Sequence, residues 1–172
     1  MTHLVPRQHV PELDALLLPD GRWSLNADKP ANFTLLVFYR GLHCPICRKS
    51  LEQLNGLIED FTALGVSVLA LSGDSRERAE KSRARWKIDK LNLAYGLPQD
   101  LARRWGLFIS SGKAGSDEPE YFSEPGVFLV RPDGSLYMSA VNSMPFARTH
   151  FDEIVGAVKF ILDNNYPARG EA

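Results

Sequence analysis

Cysteine is scarce in this sequence, two residues in 172, too few for the disulfide framework that holds small secreted domains together. Neither sign of charge is in excess. Lys and Arg number 20 against 21 Asp and Glu, a formal net charge of −1, so no overall field draws the chain to a nucleic-acid backbone or an anionic membrane surface. No apolar run approaches the about eighteen residues of a membrane span, and Met1 to Val10 has neither the charged segment nor the apolar core of an export signal. These absences predict a cytoplasmic protein without nucleic-acid or membrane partners, whose two thiols are reduced at rest and reactive rather than structural.

The composition, 44% hydrophobic and 24% charged, suits a chain of this length that buries one substantial core. A single domain over 1–172 is expected, with 1–30 as an N-terminal arm or hairpin turning at Asp20-Gly21. Phe33 to Tyr39 is a continuous apolar run, the pattern of a strand covered on both faces. From Cys44 the period changes. Cys47, Leu51, Leu54, Ile58, Phe61 and Leu64 recur at helical spacing, Gly65 stops the helix, and Val66 to Leu71 is a second buried strand, completing a βαβ unit.

Asp74 with Glu77 reads as the capping box of a helix ending near Trp86, and Pro98 to Trp105 as a shorter helical piece. Ser110 to Glu120, rich in Gly, Ser and acidic residues, reads as a mobile surface loop. Val127 to Val130 and Ser135 to Val141 form a hairpin through the turn Arg131-Pro132-Asp133-Gly134. A last helix starts near Thr149, with Thr149 and Asp152 as its capping pair. This order, β, α, β, α, a loop-rich insertion, a hairpin and a closing α, is the thioredoxin order: an α/β fold with a central mixed sheet flanked by helices.

The chemistry concentrates in Cys44-Pro45-Ile46-Cys47, where the first buried strand gives way to a helix. A thiol at a helix N-terminus faces free N–H groups and the positive end of the dipole, which lower its pKa from about 8.5 into a range of roughly 3.5 to 7.5. Pro45 suits the first helical position, so the helix is predicted to start at Cys44, with Cys47 on the same face three residues on. Cys44 is then the attacking thiol and Cys47 the resolving one. Two packing cysteines are the bland alternative. A metal site would need two further ligands, and His43 is too close in sequence while His3, His9 and His150 show no ligand spacing.

Arg40 and Arg48, each four residues from one cysteine, either stabilise the thiolate or are solvated charges. His43 is either a proton shuttle or a loop residue, and Met144-Pro145-Phe146 either a turn packed near the dithiol or a substrate lip. The basic residues of Arg76 to Lys87 alternate with Glu77 and Glu80 and fit a solvated helix better than a nucleic-acid face. Ser111-Gly112-Lys113 lacks the glycine spacing and strand context of a phosphate loop.

Phe38 to Arg48 (FYRGLHCPICR), followed by the strand Val66 to Leu71, Pro125-Gly126-Val127-Phe128 and Met144 to Arg148, resembles the peroxiredoxin-like branch of the alkyl hydroperoxide reductase and thiol-specific antioxidant (AhpC/TSA) family. The resemblance implies a thioredoxin-like fold with a peroxiredoxin-type N-terminal arm, a Cys44 nucleophile and reduction of peroxides or disulfides through a Cys44/Cys47 cycle with no cofactor or metal. It also implies thioredoxin, glutaredoxin or glutathione as electron donor, and leaves a homodimer open. Where the family carries a proline seven residues and a hydroxyl residue three residues before the nucleophile, this chain has Val37 and Gly41. Its activating arginine has Glu124 and Pro125 in its place, which passes that role to Arg148 or Arg40. The tryptophan and buried aspartate of thioredoxins are replaced by His43 and Phe38. Pro125, leading into a strand, is expected in the cis form beside the dithiol. The alternative from another class is a redox-sensing protein whose disulfide switches a partner surface without turnover.

Overall fold

The structure, a computed structural model, describes residues 4–172; His3 lies outside the described residues. A seven-stranded mixed sheet runs in the order β2-β1-β5-β4-β3-β8-β9. Its strands are β1 (Asp14–Leu17), β2 (Arg22–Ser24), β3 (Phe33–Phe38), β4 (Val66–Leu71), β5 (Asn92–Tyr95), β8 (Gly126–Val130) and β9 (Leu136–Val141). A separate ribbon pairs β6 (Ile109–Ser111) with β7 (Tyr121–Ser123). The helices are α1 (Pro45–Gly56), α2 (Ile58–Ala63), α3 (Arg76–Trp86), α4 (Gln99–Arg104) and α5 (Phe151–Asn164).

The centre of the sheet is β3, parallel to β4 on one side and antiparallel to β8 on the other. Every residue of β3 is buried, because successive side chains point to opposite faces and both faces are covered. Phe33, Leu35, Val37 and Tyr39 join a core that includes Leu51, Leu54, Phe151 and Ile154. Leu36 and Phe38 join a second core with Leu101, Trp105 and Phe128. Both cysteines belong to the first core, and the dithiol sits at the N-terminus of α1, just beyond the C-terminal end of β3.

The N-terminal hairpin forms as expected, and β1 also pairs antiparallel with β5. At four residues, Asn92–Tyr95 is too short for alternation in the sequence to mark it as a strand. The expected long helix after Cys44 is two helices, since Leu57, following Gly56, leaves helical geometry at φ −105° and ψ 5°. The residue capping α3 is Ser75, whose hydroxyl accepts from the Arg78 N–H, rather than Asp74. For α5 the Thr149–Asp152 pair does not form. His150 is the N-cap residue, without a side-chain bond, and Asp152 accepts instead from Gln53 Nε2 at 3.2 Å.

The segment expected to be a mobile loop is anchored. Its two ends pair as β6 and β7, Gly112 N–H donates to the Glu120 carbonyl, and the Glu118 carboxylate accepts from the Lys113 N–H. Among the described residues, the cis peptide bond is the one before Pro19; the Glu124–Pro125 bond is trans, contrary to the expectation from sequence.

Candidate active site

Cys44 has extended backbone angles and is the N-cap residue of α1, with Pro45 in the first turn as the sequence predicts. Its Sγ accepts from the Cys47 N–H at 3.2 Å. A sulfur thus replaces the usual capping oxygen and satisfies one of the orphan donors of the first turn. Cys44 is 1% exposed and Cys47 0%, and both are free thiols.

The two sulfurs differ in what surrounds them. Cys44 is pulled down to about 6, first by a hydrogen bond from the Cys47 thiol, then by the Cys47 N–H and the charges of Arg148 and Arg40, against the cost of burial. Cys47 moves the opposite way, well above the ordinary thiol range, because burial and the neighbouring Cys44 both disfavour its charge. Near neutral pH the pair therefore holds one proton, with the negative charge on Cys44 and the proton on Cys47.

Arg148 is the cation at the sulfurs: its Nη2 lies 3.0 Å from Cys47 Sγ and 3.7 Å from Cys44 Sγ. It arrives from the chain segment before α5. Its Nε donates to the Pro145 carbonyl at 2.7 Å, Ala147 beside it adopts φ +53°, and Asn142 Nδ2 donates to the Phe146 and Ala147 carbonyls. Met144 and Phe146 on the same segment are half exposed.

Arg40 is brought near but turned aside. It pairs with Glu124 at 3.3 Å and Glu118 at 3.6 Å, and its guanidinium lies over the Phe122 ring at 4.6 Å. The loop joining β6 to β7, β7 itself and the residue after it thus supply Glu118, the Phe122 face and Glu124, which absorb its charge, and Arg40 lowers Cys44 less than Arg148 does. Arg48 is exposed and pairs with Glu52 at 2.7 Å, one turn along α1. The imidazole of His43 packs on Phe122 at 4.7 Å, and burial together with Arg40 lowers its pKa; at neutral pH it carries no charge. Pro125 is buried just before β8, and its carbonyl accepts from Asn142 N–H.

One residue of the site was missed by sequence reasoning. Asp74 has a fully buried side chain, and its carboxylate accepts from Leu42 N–H at 2.7 Å and Arg78 Nε at 2.9 Å. It fixes the link between β3 and Cys44. Gly41, in that link, has φ +132°, and a Cβ there would lie 2.7 Å from Asp74 Oδ1. A signal was present in the register: Phe38 lies opposite Leu71, and three further residues along each parallel strand reach Gly41 and Asp74.

Solved structures share this fold at low sequence identity. The peroxidoxin BcpB of Mycobacterium tuberculosis is 18% identical, with 92% of this chain and 99% of that one covered at a TM-score of 0.74. A peroxiredoxin-like protein of Aquifex aeolicus is 16% identical, covering 94% and 90% at 0.76. Prx3 of Vibrio vulnificus, reduced and in complex with H2O2, is 13% identical, covering 91% and 99% at 0.75. Among curated proteins no sequence matches. The profile of the AhpC/TSA family matches residues 6–139, and the chain belongs to this family of thiol-based antioxidant oxidoreductases.

Proposed function

We propose that Cys44 and Cys47 run a dithiol–disulfide cycle in which Cys44 attacks a peroxide or a disulfide and Cys47 resolves the adduct. The observation that carries this reading is the asymmetry of the pair: an N-cap thiol at about 6 beside a buried thiol held protonated, with Arg148 against both sulfurs. With a peroxide, the Cys44 thiolate takes the terminal oxygen as a sulfenic acid and the alkoxide leaves with a proton. Cys47 then displaces water to close the disulfide. With a disulfide, the thiolate forms a mixed disulfide and expels one thiolate, and Cys47 expels the second. In both routes the acceptor gains two electrons and the dithiol loses two.

A thiol donor of the thioredoxin, glutaredoxin or glutathione class restores the dithiol, in a protein that works in the cytoplasm. Among the described residues, no helix is long and apolar enough to cross a membrane. Arg148 is the activating cation, Arg40 a supporting charge, and Pro125 part of the wall at the C-terminal end of β3. The surroundings favour a disulfide over a peroxide, because position 41 is glycine and offers no hydroxyl to orient a peroxide.

Trapping tests the roles. Cys44→Ser should abolish turnover. Cys47→Ser should accumulate a mixed disulfide with a disulfide acceptor, or a sulfenic acid with a peroxide, both visible by intact mass. Full activity in Cys44→Ser with nothing trapped in Cys47→Ser would refute the assignment, and stoichiometric oxidation of the native protein without turnover would favour the redox-sensing alternative.

A further inference from the structure

Beside the dithiol lies an open cleft of about 550 Å3, walled on one side by Ile46, Lys49 and Gln53 of α1 and on the other by Pro145, Phe146 and Arg148. No Asp or Glu lines it. Lys49 is exposed. Neither Lys49 nor Arg148 has a carboxylate partner among the described residues, whereas Arg40, Arg48, Arg76 and Arg78 do. Asp152 lies close by and accepts from Gln53, a lining residue. The cleft therefore joins two cations without a carboxylate partner, an apolar wall and, through Arg148, the reactive sulfurs.

We propose that this cleft is the acceptor subsite and selects small disulfides that carry carboxylates, the chemical class of glutathione disulfide, with Lys49 as the residue that reads the charge. The proposal rests on the dithiol cycle above, adds its substrate class and leaves a donor of the thioredoxin or glutaredoxin class, because glutathione would only run the acceptor step backwards. A carboxylate of the acceptor sits against Lys49 while its aliphatic part lies along Ile46 and Pro145. Cys44 is 1% exposed, so the scissile sulfur reaches it as Arg148 yields its place at the sulfurs. The Cys44 thiolate then forms the mixed disulfide and one acceptor thiolate leaves. Cys47 attacks Cys44 Sγ, its proton passing to the departing sulfur, and the second half of the acceptor leaves as a thiol.

The test is single-turnover oxidation of the pre-reduced protein, followed by acid quench and thiol counting, with glutathione disulfide and with its N,N′-diacetyl tetraethyl ester, which carries no charge. Lys49→Glu should slow oxidation by glutathione disulfide about fivefold, leave the ester rate unchanged, and lose its effect in high salt. Lys49→Arg should retain the native rates. If Lys49→Glu slows both disulfides equally, or neither, the cleft assignment is wrong while the dithiol cycle stands. If the native protein is oxidised by neither disulfide but still turns over peroxide through Cys44, the cycle survives and the disulfide subsite is refuted. If Cys44 reacts with none of the three, both readings fall together.

Discussion

At the scale of single residues, the proposed cycle rests on one proton shared unequally between two sulfurs. The largest influence lowering Cys44 is the Cys47 thiol, ahead of the Cys47 N–H and Arg148. The rate of Cys44 alkylation by iodoacetamide should therefore rise with pH about a midpoint near 6, while Cys47 stays unreactive through neutrality. Cys47→Ala removes the donating thiol and should move the midpoint upward further than Arg148→Gln, with Cys47→Ser between native and Cys47→Ala because a hydroxyl still donates. The same ionisation couples to stability. Folded Cys44 titrates near 6 and an unfolded thiol near 9, so between those values the unfolded state holds more protons and this residue's contribution rises with pH. It is lost as pH falls through about 6. Urea titrations of reduced protein should show a stability gain over Cys44→Ser on going from pH 6 to 8; an unchanged difference would refute the depressed value.

At the scale of elements, the position of Cys44 depends on the link from Arg40 to His43 as much as on α1. Leu42 N–H and Arg78 both end on the Asp74 carboxylate, and Gly41 leaves the space that this carboxylate occupies. Removing Asp74 strands a buried N–H and breaks a charged contact, so Asp74→Ala should cost about 2–3 kcal/mol in urea unfolding, and Asp74→Asn less. Gly41→Ala needs both a positive φ and a 2.7 Å approach to Asp74, and should displace the link and slow Cys44 alkylation. Local pattern made the capped helix, β3, β4 and the β8–β9 hairpin legible, because each rests on apolar periodicity or turn chemistry within a few residues. Asp74 and the Thr149–Asp152 pair were misread for the opposite reason. A capping box is a short-range pattern, and here long-range partners, Leu42 for Asp74 and Gln53 for Asp152, take the carboxylates. The acidic loop 110–120 looked mobile because the cation that holds Glu118 is Arg40, some eighty residues earlier.

On the scale of the whole molecule, the site is assembled from segments far apart in the chain: the end of β3, the start of α1, and the stretch leading into α5, which contributes Arg148 from a distance of 104 residues. The sheet carries the first two as one unit, since β3 is buried on both faces and paired on both edges. The third is held differently. Residues 143–149 lie outside the sheet, expose Met144 and Phe146, and are fastened by the Asn142 bonds, by the Arg148 Nε bond to the Pro145 carbonyl and by the Arg148 charge facing the Cys44 thiolate at 3.7 Å. A thiolate is a strong acceptor for a guanidinium, and a disulfide sulfur is neutral and a poor one. Oxidation therefore removes one fastening of this segment and leaves the core untouched, a local loosening rather than a global one. Limited trypsinolysis reads this directly, because the scissile bond follows Arg148 itself. Cleavage there should be severalfold faster in the oxidised protein than in the reduced protein, and Cys44→Ser, which cannot present the thiolate, should resemble the oxidised form in both redox conditions. Equal cleavage rates in all three would mean that the segment is held by its backbone contacts alone and that Arg148 does not report the redox state of the dithiol.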